Sequence, residues 1–488
     1  MGYQNNDGFE FDEVSLQQQQ KSEALRNNTR MSTPTRKSSI KLDKAGLTCI
    51  VILFVVNLLN YMDRYTIAGV LTDIQKYFSI NDAMAGLLQT IFIVFFMIFA
   101  PLCGFLGDRY NRKILMMCAF LAFCIAERVV GIGEASYSII APTLIADYFI
   151  STLRSRVLMF FYFAIPVGSG LGFMTGSYVS SVFGSWKWGL RVTPVLEGQA
   201  EKAVGNGVAT VNLNKEKSTY VEDIKYLCSI KTYLWSVVGS TAVVFVTGTL
   251  AWWAPTAVQH AIAMRSNLTD TNLLQNSQKE SVALTFGAIT CAAGVVGVSA
   301  GTVLSQAWKD GKLCFRKIKT PRADALISAI GSFLAVPLLF AGLHLLHASL
   351  LLAYISIFFA ILFLCLNWAI NVDMLMYIIV PQRRSIANSW LIMISHLFGD
   401  ASGPYVIGLF SDWIRGPDDS PSGHYYSLLY SFYVPNILLL ISGIAFILCA
   451  VALVKDMDNF NIEMGLKKSA VTLNESRSSH KNNAFSPD

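Results

Sequence analysis

Residues 47–70 read LTCIVILFVVNLLNYMDRYTIAGV, a long apolar run that carries two charges. About 20 residues suffice to cross a bilayer as one helix, so this run predicts a membrane span. Asp63 and Arg64 lie side by side within it. A charge at membrane depth is costly and is usually retained for a transport pathway, a proton relay or a charged partner. The alternative is that both side chains lie near the end of the span and extend to the interface.

The composition indicates that most of the chain lies in a membrane. Of its 488 residues, 53% are hydrophobic and only 14% are charged, whereas a soluble domain carries about 25% charged residues. The nine cysteines are scattered without a CxxC pair, which favours buried free thiols over a disulfide framework or a metal site. The first 44 residues are polar and lack the pattern of a cleavable signal peptide. We therefore expect an all-α polytopic membrane protein without a metal or another cofactor.

Apolar runs of span length recur along the chain and predict its organisation. The candidate spans cover 47–70, 83–106, 114–149, 157–183, 234–258, 282–305, 325–346, 350–380, 386–414 and 425–454. We expect residues 1–46 and 455–488 to be disordered cytosolic tails. The stretch 195–231 is polar, and we expect it to be a central cytosolic loop. It separates an N-terminal bundle, 47–194, from a C-terminal six-helix bundle, 232–454.

Basic loops predict the orientation, since short loops rich in Lys and Arg stay in the cytosol. These loops are GDRYNRK at 107–113, KDGKLCFRKIKTPR at 309–322 and PQRRS at 381–385. The loop 259–280 then lies on the other side, and it carries a sequon at Asn267. We expect Asn267 to be glycosylated, whereas the sequons at Asn27 and Asn474 face the cytosol and stay unmodified.

Two further charges are candidate partners for Asp63 and Arg64. Arg128 and Glu134 lie six residues apart in ERVVGIGE, within another apolar stretch. Crossed ion pairs would keep all four side chains charged, whereas a buried carboxyl group away from the arginines favours its protonated form. A carboxylate that alternates between these states can couple transport to protons. We therefore assign proton coupling to Asp63, Arg64, Arg128 and Glu134.

The segment GFLGDRYNRK, residues 104–113, is more specific than a cytosolic anchor requires. Gly104 and Gly107 allow two helices to approach closely, and Asp108, Arg109 and Arg112 follow at the end of the span. This order matches the cytosolic gate motif of the major facilitator superfamily, in which the aspartate binds the N-terminus of a neighbouring helix. The stretch GTVLSQAWKDGK at 301–312 repeats it faintly, as expected of a transporter with two related halves.

Longer stretches resemble the Spinster subfamily of this superfamily. They are NYMDRYTIAGVL at 60–71, GFLGDRYNRK at 104–113, VGIGEASYSIIAPTLIADYF at 130–149, FYFAIPVGSGLG at 161–172, WGLRVTP at 188–194, FVTGTLAWWAP at 245–255 and SHLFGDASGPYVIGLFSD at 395–412. The resemblance implies the major facilitator fold of two helical bundles. It also implies a lipid cargo, either sphingoid phosphates such as sphingosine-1-phosphate or lysophospholipids. The implied location is the late endosome or lysosome, with the plasma membrane as the alternative.

Polar residues in the later spans are candidates for a headgroup site. His396 and Asp400 are four residues apart and share one helix face, and Asn371 lies late in another span. Together with Tyr61 they form the expected substrate cavity; the alternative is interhelical hydrogen bonding or a second gate. The glycine-rich run PVGSGLGFMTG at 166–176 favours tight helix packing over phosphate binding.

The first half departs from the family pattern. Only 40 residues separate Lys113 from Arg154, which is too few for the two spans and a turn that the family has there. The polar run VLEGQAEKAVGNG at 195–207 stands where the sixth span should begin. Parts of the third, fourth and sixth spans are therefore expected to be missing, which leaves about ten spans instead of twelve. Either 114–149 forms one tilted span, which puts RSR at 154–156 outside, or a short hairpin thins the membrane locally.

Two functional hypotheses follow from this pattern. The leading one is a proton-coupled secondary transporter of sphingolipids or lysophospholipids, a monomer working by alternating access, with lipid and protons as its partners. The second is a non-transporting or regulatory short isoform of such a transporter, or an error in the gene model, which the gaps favour. A membrane-embedded enzyme is not expected, because the sequence has no HExxH or Walker motif, and no nucleic-acid partner is expected.

Overall fold

The computed structural model describes residues 44–110, 130–149, 151–188, 219–312 and 315–464, and these ranges contain helices and no strand. The first half consists of α1 (Lys44–Gly69), α2 (Leu71–Phe78), α3 (Asp82–Arg109), α4 (Val130–Tyr148), α5 (Ser151–Tyr162) and α6 (Ala164–Val182). A separate helix, α7 (Tyr220–Ser229), lies within the predicted central loop. The second half consists of α8 (Lys231–Arg265), α9 (Asn276–Asp310), α10 (Ala323–Ala348), α11 (Leu350–Cys365), α12 (Asn367–Met376), α13 (Arg384–Ser395), α14 (Ser402–Arg415), α15 (Pro421–Ser431) and α16 (Tyr433–Glu463).

The predicted all-α membrane architecture is confirmed. Seven helical segments within the described ranges are long and apolar enough to cross a bilayer. The total of about ten spans stays a prediction, because residues 111–129 and 189–218 lie outside the described part of the chain. The last helix continues to Glu463, beyond the end at 454 that hydropathy predicts.

Two of the predicted spans are interrupted helices. The span predicted at 350–380 breaks between α11 and α12, and the span predicted at 386–414 breaks between α13 and α14. The second break is a π-helical turn, His396–Asp400, in which Gly399 has a non-helical φ of −106° and ψ of −110°. Such turns occur frequently at functional sites. This one carries two of the predicted cavity residues.

The two halves of the protein contact each other through two sets of helices. Helix α3 packs along both α13 and α14, and α6 packs along α9, with a smaller contact between α5 and α12. The second half has its own core, in which α8 packs on α16 and α10 on α11. Trp252, Trp253 and Phe446 are fully buried there. The two halves thus meet along two separate sets of helices, as expected of two related bundles.

Glycines set the separation between α1 and α6. Gly172 and Gly176 of α6 face α1 so closely that a Cβ atom would lie 2.5 Å from the backbone oxygens of Met62 and Thr66. Gly168, one turn earlier, meets the backbone of Leu58 in the same way. The prediction that the run 166–176 serves tight helix packing is therefore confirmed.

Charged residues divide the molecule into two faces. We call the end that carries Arg109, Arg154, Lys309 and Arg383 the basic face, which the positive-inside rule assigns to the cytosol. Arg154 donates through Nε to Asp373 Oδ1 at 2.7 Å and shares a crevice with Lys309. The arrangement that puts RSR outside is therefore wrong, since this segment lies with the other basic loops.

The opposite face includes the turn between α8 and α9, where Asn267 is exposed with a left-handed φ of 50°. Because this turn lies beyond the end of a 35-residue helix that starts at the basic face, we predict that Asn267 carries a glycan. A glycosidase should shift the wild-type band in cells that glycosylate, and Asn267→Gln should abolish that shift. The matched control, Asn474→Gln, should leave it unchanged. Absence of any shift, or a shift that survives Asn267→Gln, contradicts the proposed orientation.

Candidate functional site

An ion pair between the two halves lies at the centre of the structure. Arg64 of α1 donates through Nη2 to Asp400 Oδ2 in the π-helical turn, and both residues are only 4% exposed. With the Gln89 amide turned so that its oxygen faces Arg64, that oxygen accepts from Nη2 at 2.7 Å and from Nε at 2.8 Å. Arg64 therefore bonds to α3 in its own half of the protein and to the π-helical turn in the other half.

His396 completes this centre. Its Nδ1 lies 2.6 Å from Asp400 Oδ1, and since a carboxylate only accepts, Nδ1 is the donor. The two oxygens of Asp400 thus accept hydrogen bonds from different partners, Arg64 and His396. The predicted proximity of His396 and Asp400 is confirmed, although the turn between them is a π turn rather than a regular α turn.

The centre borders a cavity of about 190 Å³ between the halves. One water needs only about 10–15 Å³ on this measure, so the cavity accommodates a much larger group. All four predicted cavity residues, Tyr61, Asn371, His396 and Asp400, line it. Apolar side chains from both halves form much of the remaining wall, among them Phe161, Ile165, Val243, Leu250, Phe286 and Ile361.

At the basic face, Asp108 lies at the N-terminus of α13. Its carboxylate accepts from the backbone amides of Ser385 at 3.3 Å and Ile386 at 2.8 Å. The first amides of a helix have no intrahelical partner and carry a positive partial charge, so a carboxylate there is stabilised. Gly104, one turn earlier in α3, lies so close to α13 that a Cβ atom would collide with the Ser389 side chain.

A second bridge at this face includes a residue that the sequence analysis missed. Asp223 of α7 is buried and accepts from Arg383 Nε at 2.9 Å and from Arg109 Nη2 at 3.4 Å. The signal for α7 is in the sequence. Thr219 and Glu222 form a capping box, and the backbone amide of Thr219 lowers the pKa of Glu222 below its usual range. Part of the predicted central loop therefore joins the two halves.

At the opposite face, the end of α14 binds the start of α3. Arg415 donates through Nη1 to Asp82 Oδ2 at 2.8 Å, and the amide of Ala83 donates to Asp412 Oδ2 at 3.0 Å. Sequence reasoning missed this contact too, because Asp82 and Arg415 lie just outside the predicted spans 83–106 and 386–414. The cavity is thus bounded by bonds between the halves at both faces.

The remaining predicted residues are placed as follows. Asp63 is half-buried on α1, next to Arg64. Glu134 belongs to α4 and Gly107 to α3, but the side chain of Glu134 lies outside the described part. Arg112 and Arg128 also lie outside it. The predicted crossed pairing of Asp63, Arg64, Arg128 and Glu134 therefore stays a prediction, while Arg64 has Asp400 as a partner that it did not include.

The sequence contains one match to a motif that is typical of hydrolases. The run GVSAG at 297–301 matches GxSxG, in which the serine belongs on a sharp turn between a strand and a helix. Ser299 instead lies inside α9 and donates to the carbonyl of Val295 at 2.6 Å. It is therefore not placed as a nucleophile.

Comparison with known proteins identifies the family. A sequence model of the Major Facilitator Superfamily matches residues 53–317. Protein spinster homolog 1 of Mus musculus is 43% identical over 403 residues, covering 75% of this chain and 73% of the mouse protein. Protein spinster homolog 3 of Danio rerio is 39% identical over 460 residues, covering 87% of this chain and 88% of the fish protein.

A solved structure shows the same fold. It is a bacterial homolog of the human lysosomal transporter Spinster in an inward-facing, unoccupied conformation. It has a TM-score of 0.61 with 17% sequence identity, and the match covers 85% of this chain and 98% of the bacterial chain. The fold, the two-half packing and the sequence identities agree: this chain is not an enzyme but a multi-pass membrane transporter, and it belongs to the spinster family within the Major Facilitator Superfamily.

Proposed function

We propose that this chain transports single-headgroup lipids, namely sphingoid phosphates or lysophospholipids, by proton-coupled alternating access. The observation that carries the proposal is the Arg64–Asp400 pair, which joins the two halves beside a cavity with mostly apolar walls. Alternating access needs a central contact between the halves that the cargo or a proton can break. A buried ion pair meets that need because either partner can be neutralised or replaced.

The shape of the site favours an amphiphile. Asp400, His396 and Asn371 place polar groups in a cavity whose aromatic and aliphatic walls include Phe161 and Phe286. Arg64 lies directly behind Asp400. A phosphate group can replace the Asp400 carboxylate on Arg64, because guanidinium groups bind both anions in the same forked geometry. The acyl or sphingoid chain then contacts the apolar wall.

Protons enter this scheme through carboxyl groups near arginines. Protonation of Asp400 would release Arg64 for the incoming phosphate. His396, already bonded to Asp400, is placed to exchange that proton. Asp63, with Arg128 and Glu134, is assigned to the same coupling network. Asp108 and the arginines beside it are assigned to the cytosolic gate, since Asp108 binds the start of α13.

The proposed site of action is the membrane of late endosomes or lysosomes. A structural relative is described as a homolog of a lysosomal transporter, and an acidic lumen supplies the proton gradient that the mechanism needs. The plasma membrane is the alternative location. We propose that the chain works as a monomer, because the cavity and its closing bonds lie within one chain.

A short, non-transporting isoform is the second candidate. The alignment with the fish relative runs over 460 residues, which is longer than the 87% of this 488-residue chain that it covers. That excess is expected where a relative carries segments that this chain lacks. The sequence gaps after Lys113 and Pro194 are the places to expect them.

The transport proposal predicts a specific pH response. Purified chain in proteoliposomes should take up labelled sphingosine-1-phosphate or lysophosphatidylcholine faster with a proton gradient than without one. Asp63→Asn should remove the stimulation while leaving insertion intact, because the amide cannot exchange a proton. Asp73→Asn, which changes a partly exposed carboxylate of α2 that pairs with Lys279, should behave as wild type. No uptake of either lipid, or undiminished proton-driven uptake by Asp63→Asn, contradicts the proposal.

The gaps predict a difference between this chain and a completed version. Insertion of about 20 apolar residues at each gap, as a full span requires, should raise both membrane abundance and lipid transport per molecule. The reason is that backbone polar groups cannot face lipid unpaired, so incomplete spans destabilise the first half. Insertion of a polar segment of the same length into the tail after Glu463 is the control. Equal abundance and equal transport in the short and completed chains would show that the gaps are tolerated.

A further inference from the structure

The closure at the opposite face is built around the buried carboxylate of Asp82, the first residue of α3. Asp82 accepts from Gln75 Nε2 at 2.9 Å, from Ser411 Oγ at 3.2 Å and from Arg415 Nη1 at 2.8 Å. Two of these three donors lie on α14, in the other half of the protein. Asp82 therefore holds the start of α3 against the end of α14.

His424 lies beside this hydrogen-bond network. His424 of α15 has its Nδ1 2.8 Å from Arg415 Nη1 and 3.6 Å from Asp82 Oδ2. Arginine only donates, so Nδ1 must accept, and this requires that His424 is neutral. A protonated His424 has no acceptor to offer and repels Arg415 at that distance. Protonation is therefore incompatible with the observed arrangement.

A second histidine shares the site. The ring of His260, on α8, stacks on the ring of His424 with centroids 4.6 Å apart and planes 9° apart. Its Nδ1 is buried and has no hydrogen-bond partner within the described residues. Two imidazolium rings in this stack would repel each other, so the pair binds one proton and not two. His260 is the more buried of the two rings, and burial disfavours the charged form, so the proton goes to His424.

The surroundings favour uptake of that proton. The charged groups near the two rings are Asp82, Asp270, Asp412, Arg415, Asp418 and Asp419. Carboxylates outnumber the single arginine, so the site has excess negative charge. The side chain of His424 is 20% exposed, which gives it contact with solvent. The negative charge thus attracts a proton to His424, which can bind it only if its contact with Arg415 is lost.

We propose that His260 and His424 form a proton-binding site that opens the opposite-face closure in mild acid. Protonated His424 turns its Nδ1–H from Arg415 toward Asp82 and competes for the same oxygen. Arg415 then leaves Asp82, so α14 loses its main bond to the start of α3, while α15 stays bonded to Asp82 through His424. The site is separate from the Arg64–Asp400 centre, and the inference does not depend on the identity of the cargo.

Hydrogen exchange of the full chain in lipid nanodiscs tests this site without a transport assay. The amide of Ala83 donates to Asp412 across the closure, so its exchange reports opening directly. Exchange is compared at about pH 7.5 and 5.5, on either side of the usual histidine pKa of about 6.5, after correction for the chemical rate. In wild type, exchange near Ala83 should rise at least about threefold in acid, because local opening exposes that amide.

Variants separate the histidine site from other effects of acid. His424→Gln keeps an acceptor for Arg415 but cannot be protonated, so exchange should stay low at both pH values. Asp82→Asn should exchange fast at both, which confirms that the readout follows the closure. His344→Gln, which changes a half-buried histidine that stacks on Tyr433 of α16, should respond as wild type. Each variant is checked for monodispersity, and His424→Asn replaces His424→Gln if the latter aggregates.

The proposal is overturned by three results. Wild-type exchange near Ala83 that is equal at both pH values, or slower in acid, shows that protons do not open the closure. An acid response that persists in the neutral His424 variant shows that another group binds the proton. Loss of the response in His344→Gln shows that the effect is not local to the closure.

Discussion

The contact between α3 and the interrupted helix α13–α14 is the constraint on which the observed joining of the two halves depends. Three polar links accompany it at different depths: Asp108 on the first amides of α13, Arg64 with Gln89 on Asp400, and Arg415 on Asp82. Each link joins opposite halves of the protein. Glycine at position 104 lets the backbones of α3 and α13 approach closely, so the short side chain of Asp108 reaches the first amides of α13.

The energetic character of the links explains how such a contact can open. Desolvation of two charges offsets much of their attraction, so a buried ion pair adds little net stability, whereas loss of one partner costs about 3–5 kcal/mol. Closure is therefore sensitive to any event that changes one partner. A phosphate replacing Asp400, or a proton on His424, is such an event. Two of the three links, Arg64–Asp400 and Arg415–Asp82, are ion pairs, and they respond to different agents.

Some parts of this structure can be predicted from the sequence, and others cannot. Hydropathy locates the spans, and the spacing of His396 and Asp400 predicts their contact. Glycine spacing predicts the close approach of α6, since Gly168, Gly172 and Gly176 recur every four residues. The partner of Arg64 is not predictable in this way, because Asp400 lies 336 residues away and only the packed halves bring them together. Asp223 and Asp82 lie outside apolar runs, where hydropathy carries no information about burial.

The central claim is that Arg64 and Asp400 join the halves as one interacting pair. A double-mutant cycle on the free energy of unfolding, measured by steric trapping in bicelles, tests it with Arg64→Gln, Asp400→Asn and the double variant. Each single change should cost about 3–5 kcal/mol, because it removes one partner of a buried ion pair. The double change should cost clearly less than the sum of the two, with a coupling energy of about 1–3 kcal/mol. Additive costs, with a coupling energy near zero, would contradict the claim.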